Sequence, residues 1–129
     1  MFVRFFGMVG LAAVLAVAPE AKLGQPFELK PAESATIEGL RITFEGVGED
    51  SRCPSGGQCV WAGDAAAAFS IQKPPAAAAR RTLHTSGRFE RRTDYGDFVV
   101  RLEDLKPYPK DGESIAADDY RAILIVTRR

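Results

Sequence analysis

The sequence predicts an all-β domain, a single antiparallel sandwich or flattened barrel, and three observations carry that prediction. Beyond Lys22 the apolar residues alternate with polar ones over short stretches and never recur at helical spacing for long. Gly, Pro and Asp interrupt these stretches at close intervals. With 129 residues the chain has the size of one domain, long enough to bury a core without help.

The first element is not part of that domain. Met1 to Arg4 gives a short positive start, and Phe5 to Ala18 is uncharged and rich in Phe, Val, Leu and Ala, the shape of a secretory signal. The run is short for a permanent bilayer-spanning helix, which takes about 20 residues. Ala16-Val17-Ala18 offers a small-residue cleavage site, but Pro19 would follow the cut and resists it. Cleavage near Ala21 is therefore expected, dividing the chain into a signal peptide, 1–21, and a secreted domain, 22–129. An uncleaved signal would leave the domain anchored to the membrane; after cleavage no integral span is expected.

Strands follow in order. Phe27 and Leu29 alternate with Glu28 and Lys30, and Leu40, Ile42 and Phe44 with Arg41, Thr43 and Glu45, each suiting a half-buried strand. Phe69 and Ile71 mark another strand and Thr82 to Thr85 a further one, separated by Lys73-Pro74-Pro75, since Pro-Pro cannot continue a ladder. The alanine runs 65–68 and 76–79 are too short to nucleate helices, which need about 12 to 15 residues, and are read as small residues in or beside strands. Phe98, Val100 and Leu102 share one side of a later strand, and Lys106 to Gly112 is a loop by its prolines and glycine. Tyr120 to Thr127 is apolar on both faces through its middle, predicting a central strand covered on both sides. The total is about six to eight short strands.

Both cysteines and the only tryptophan lie in Glu49 to Ala65. Cys53 and Cys59 enclose Pro-Ser-Gly-Gly-Gln, where Pro54 presets one backbone angle and Gly56-Gly57 permit a tight reversal. In an oxidising compartment two cysteines so placed are expected to join. So small a ring stabilises by about 2 to 2.5 kcal/mol in the chain-entropy picture. A thioredoxin-type site needs only two residues between its cysteines, and zinc about four ligands where this chain has two cysteines and one histidine. No metal and no cofactor is expected. Asp50 is expected to accept backbone N–H bonds at the turn, and Arg52 to pair with Asp50 or Asp64 and pin the loop to the sheet. Trp61 is read as a lid on the core. Asp50, Arg52, Gln58, Trp61 and Asp64 form the candidate interaction loop.

Asp50-Ser51-Arg52-Cys53-Pro54 followed by Cys59-Val60-Trp61-Ala62-Gly63 resembles a DSRCP…CxWAG signature of small, uncharacterised bacterial secreted or lipoprotein-like β proteins. Leu105 to Pro109 and Tyr120-Arg121-Ala122 are similar to that group as well, so the likeness spans most of the mature chain. The resemblance implies an exported bacterial β domain, secreted or periplasmic, with the cysteines bridged; it implies no activity. The lipid-attachment cysteine of the lipoprotein members is absent here.

Lys plus Arg and Asp plus Glu both number 17, so the basic field that gathers nucleic acid is missing. His84, the only histidine, lies opposite Leu83 and is read as a surface residue. G-x-S-x-G, a phosphate loop and H-E-x-x-H are all absent, and no catalytic residues are assigned. The arginine pairs 80–81, 91–92 and 128–129 could form a local anion patch, but are read first as guards of strand edges. A non-catalytic binding or structural module of the envelope is therefore expected, its partner an envelope protein or surface polymer; a protease inhibitor is its special form, excluded if Val60 and Trp61 are buried and the disulfide ring is short and recessed. The alternative is a small carboxylate- or metal-dependent hydrolase of the periplasm, which would gather two acidic side chains in one pocket.

Overall fold

Eight strands build two four-stranded antiparallel sheets, and the structure, a computed structural model, describes residues 21–129. The expected signal segment falls on residues outside that range, Ala21 apart. The strands are β1 (Phe27–Leu29), β2 (Ser34–Ile37), β3 (Leu40–Asp50), β4 (Ala65–Gln72), β5 (Ala79–His84), β6 (Arg92–Tyr95), β7 (Phe98–Lys106) and β8 (Arg121–Arg128). One sheet runs β2-β3-β4-β5 and the other β1-β8-β7-β6, a sandwich and not a closed barrel. Among the described residues the one helical element is the short 3-10 turn Ala117–Asp119, and no helix is long and apolar enough to cross a membrane.

The period-2 pattern sets which face is buried. Leu40, Ile42 and Phe44 of β3 and Ala65, Ala67, Phe69 and Ile71 of β4 are buried and face Phe98, Val100 and Leu102 of β7 and Ala122, Leu124 and Val126 of β8. Phe44 and Phe69, cross-strand partners, stack with ring centroids 5.3 Å apart. Both alanine runs belong to strands or turns, as read: 65–68 opens β4, and Ala79 opens β5.

β8 departs from expectation. It lies inside its sheet, between β1 and β7, but only one face is covered; Ile123 and Ile125 on the other face are partly exposed. Among the described residues no element packs over that side. Of the arginine pairs, Arg80–Arg81 lies on edge strand β5 and Arg92 on edge strand β6, as expected of guards. Arg128, by contrast, ends the internal strand β8, where it pairs with Glu38, and Arg129 follows with Asp94 at 3.8 Å.

β-bulges decide what reaches the site. The β3–β4 register shifts between Phe44 and Gly46 and again between Val47 and Glu49. One inserted residue reverses which face a strand presents, and a second restores it. Asp50 therefore returns to the inner face, opposite buried Ala65. In β7 a single shift after Leu102 turns Leu105 inward in the same way.

Candidate functional site

Three long connections leave the same end of the sandwich: 51–64 between β3 and β4, 85–91 between β5 and β6, and 107–120 between β7 and β8. The opposite end has the short turns 38–39, 73–78 and 96–97. Recognition tends to reside in loops held on a rigid sheet scaffold, and here the loops gather at one end.

Loop 51–64 prolongs the β3–β4 hairpin. Ser51 N–H donates to the Asp64 carbonyl at 2.7 Å and Cys53 N–H to the Ala62 carbonyl at 3.1 Å, so residues 54–61 form a tip beyond the sheet. The Cys53–Cys59 disulfide closes that tip, with Cα atoms 5.9 Å apart. Removing it by the Cys53→Ser, Cys59→Ser double substitution is expected to lower stability by about 2 kcal/mol, read by urea denaturation. The ladder-like neck also corrects the reading of Trp61: carried past the core by these bonds, Trp61 is 69% exposed and Val60 90% exposed. Tyr120 and Leu105 close the core at this end instead. Burial of Val60 and Trp61, one of the conditions that would together exclude a protease-directed loop, is not met.

Arg52 pairs with Asp50, not Asp64. Its Nε donates to Asp50 Oδ1 at 2.9 Å and its Nη2 to Oδ2 at 2.8 Å, a two-point fork, while its backbone N–H donates to Oδ1 at 3.2 Å. Nη1 donates to the Leu105 carbonyl at 2.6 Å and Nη2 also to the Pro107 carbonyl at 3.0 Å, tying loop 51–64 to loop 107–120. Ser55 N–H adds a bond to the Pro109 carbonyl at 2.8 Å. Burial pushes the Asp50 carboxyl up, but the bonds from Arg52 and Tyr120 together outweigh it and hold the group below the usual carboxylate range. Burial likewise opposes the Arg52 charge, and Asp50 restores and strengthens it.

Tyr120 was missed by sequence reasoning. Its hydroxyl donates to Asp50 Oδ2 at 2.9 Å from across the sandwich. Burial first, then that carboxylate, push its pKa up to about 12. A folded-state pKa above the ordinary 10.0 means a contribution fully present below pH 10.0 and lost as pH rises toward about 12. Tyr120→Phe is expected to cost about 1.5 kcal/mol near neutral pH and to flatten the decline of stability above pH 10.0, measured by denaturation across pH.

Asp64 builds a second tie. Its Oδ2 bonds His84 Nδ1 at 2.6 Å, its Oδ1 accepts from Ser86 N–H at 3.0 Å, and Thr85 Oγ1 accepts from Ala65 N–H at 3.0 Å. His84 occupies the face opposite buried Leu83, as read, but is only partly exposed there and is bonded to Asp64. Gln58 is exposed on the disulfide ring, apart from both networks.

Between the loops lies a cleft of about 450 Å³, lined by Arg52, Cys53, Ala62, Gly63, Thr85, Ser86, Gly87, Arg91, Leu102, Glu103, Asp104, Tyr108 and Pro109. A smaller hollow beside it holds Trp61, Arg88 and Phe89 and shares Ala62, Gly63 and Ser86 with the cleft. Among the described residues the exposed large apolar side chains are Val60, Trp61, Phe89 and Tyr108, and all stand on these three loops. Glu103 and Asp104 share the cleft wall, but Glu103 is paired with Arg101 and both Asp104 oxygens accept the Tyr108 hydroxyl at 2.7 Å. Among the described residues no three His, Cys, Asp or Glu side chains gather as metal ligands.

Fold and site together define a class: a two-sheet β sandwich presenting a disulfide-closed, cross-tied loop surface. Comparison with protein-family models, with curated proteins and with solved structures gives no significant match.

Proposed function

We propose that this is an exported, non-catalytic binding module of the bacterial envelope, recognising its partner through the three-loop end. The observation that carries this reading is the collection of every exposed large apolar side chain of the described residues on those loops, one or more per loop. Large apolar groups left in water on an otherwise well-buried domain mark an interaction surface. Their loops are cross-tied before any partner arrives, which reduces the ordering cost of binding.

Export is supported by the apolar, positively started segment 1–21, by the disulfide, and by the likeness to secreted DSRCP…CxWAG proteins. Fusing residues 1–21 to alkaline phosphatase, active only after export, is expected to give an active fusion; an inactive one counts against export. The hydrolase alternative would draw on Glu103 and Asp104, and the bonds that already occupy both put binding ahead. The binding test is capture from envelope extract by the intact domain, by Trp61→Ala/Phe89→Ala and by Cys53→Ser. Loss of a captured partner in the variants is expected; no partner, or undiminished capture by the double variant, overturns the reading.

A further inference from the structure

We propose that the three-loop end binds an acidic polysaccharide, a glycan chain carrying uronate carboxylates, across the cleft bordered by Tyr108 and the adjoining hollow of Trp61. This inference rests on the binding-module reading and names its ligand class. Three independent features of the surface lead to it.

The aromatic rings are presented and held. Trp61, Phe89 and Tyr108 come one from each loop, and each is backed by a planar group. Arg88 lies 5.4 Å from the Trp61 centroid, Arg52 lies 5.8 Å from that of Tyr108, and the His84 ring centroid is 4.9 Å from that of Phe89. Cation–π and ring contacts of this kind fix a ring's orientation without burying it. The exposed remainder of each ring is then a pre-set apolar platform, suited to the flat C–H face of a pyranose.

The cleft, bordered by Tyr108 and adjoining the hollow of Trp61 and Phe89, combines apolar lining from Ala62, Leu102 and Pro109 with several polar groups. Ser86 and Arg91 border it from loop 85–91, and Glu103 and Asp104 from β7. An apolar peptide side chain entering here would strip water from these groups and offer no replacement. Sugar hydroxyls accept from the Arg91 guanidinium, which also donates to the Glu103 carbonyl at 3.2 Å, and exchange hydrogen bonds with the Ser86 hydroxyl. About 450 Å³ lies within the range of small-ligand sites.

The neighbouring charge selects for acid. Among the described residues Arg41, Arg81, Arg88, Arg91, Arg92 and Arg121 form no ion pair with a carboxylate, and of these Arg88 and Arg91 lie on the loop that carries Phe89, with Arg92 next to them at the start of β6. With Glu90 alone among them, segment 88–92 offers unneutralised guanidinium groups beside the aromatic platforms. Carboxylates spaced along a glycan meet that need. A nucleic acid would require a broad basic field, and the formal net charge is zero.

Calorimetric titration of the disulfide-bonded domain with polygalacturonate, neutral maltodextrin and poly-glutamate tests the inference. Binding of polygalacturonate is expected, weakening with salt, with little or none for the other two polymers. Trp61→Ala and Arg91→Gln should each weaken it about tenfold or more, while Arg41→Gln, on a strand away from the loops, leaves it unchanged. Phe89→Ala provides a second platform variant, and the melting temperature of each confirms folding. No binding of polygalacturonate, equal binding of maltodextrin, or equal binding of poly-glutamate overturns the assignment, the last pointing to an acidic protein instead. Equal weakening by Arg41→Gln overturns it too. If polygalacturonate fails but Trp61→Ala/Phe89→Ala still abolishes capture of an envelope partner, the glycan inference falls and the binding-module reading stands; if those variants change neither, both fall.

Discussion

Arg52→Ala is expected to destabilise the domain by about 3 to 5 kcal/mol, because it removes one partner of a nearly buried ion pair and strands the other. Only 9% of the Arg52 side chain and 12% of that of Asp50 are exposed, so solvent screens the pair weakly. The loss is not confined to one contact. The Leu105 and Pro107 carbonyls lose their donor, and loop 107–120 loses its main link to loop 51–64. Arg52→Lys should recover little, since an ammonium cannot fork to both Asp50 oxygens and also reach two carbonyls. Urea denaturation at neutral pH reads the effect; a loss below about 1 kcal/mol would mean that the pair behaves as an exposed one.

The same variant carries a pH signature. In the wild type the Asp50 pKa is held below its ordinary 3.8, so its contribution to stability is present above pH 3.8 and is lost as pH falls through the lower folded value. Without Arg52, burial is the largest influence remaining on that carboxyl, and burial acts upward. The gap between wild type and Arg52→Ala should therefore narrow as the medium is acidified. A gap that stays constant to low pH would place the stabilisation elsewhere.

Gly63→Ala is the second large expected effect, about 3 kcal/mol or more. Gly63 sits at φ +73°, in the left-handed region, and a Cβ there would stand 1.9 Å from the Ser51 carbonyl oxygen and 2.9 Å from Arg52 Cα. The left-handed conformation alone costs a non-glycine residue about 1 to 2 kcal/mol. The close approach to backbone adds to this, since the two arms of the neck must separate and the Ser51–Asp64 bonds with them. Gly56→Ala provides the internal comparison: φ is +86° but open space surrounds the added atom, so only the conformational cost of about 1 to 2 kcal/mol remains. Equal losses for the two alanine variants, measured by thermal denaturation, would contradict a tight neck at Gly63.

Short-range pattern carried much of this architecture. The alternation of Leu40, Ile42 and Phe44, and of Phe98, Val100 and Leu102, placed β3 and β7 because one buried face leaves a period of two in the residues themselves. β2 and β6 were not legible. Ser34-Ala35-Thr36-Ile37 has too little apolar mass for a pattern, and Arg92-Thr93-Asp94-Tyr95 reads as polar; both are strands because β3 and β7 offer them a ladder. The Asp50–Arg52 pair was accessible from local spacing, whereas Tyr120 and the Leu105 carbonyl reach it only through the packing of two sheets. Trp61 was misread for a related reason. Size and hydrophobicity favour burial, but the hydrogen-bonded neck moves that residue beyond the core, and no feature of its immediate neighbours reports the distance. His84 needed Asp64 as a partner across 20 positions of sequence, outside the reach of any local pattern.

Intrinsic fluorescence addresses the outward presentation of the loop end directly, because Trp61 is the only tryptophan. The folded, disulfide-bonded domain should emit at the long wavelength of a hydrated indole and be quenched readily by acrylamide, yet keep an anisotropy close to that of the whole domain because Arg88 and the neck hold the ring. Short-wavelength emission resistant to acrylamide would show the indole packed inside the sandwich and contradict the account.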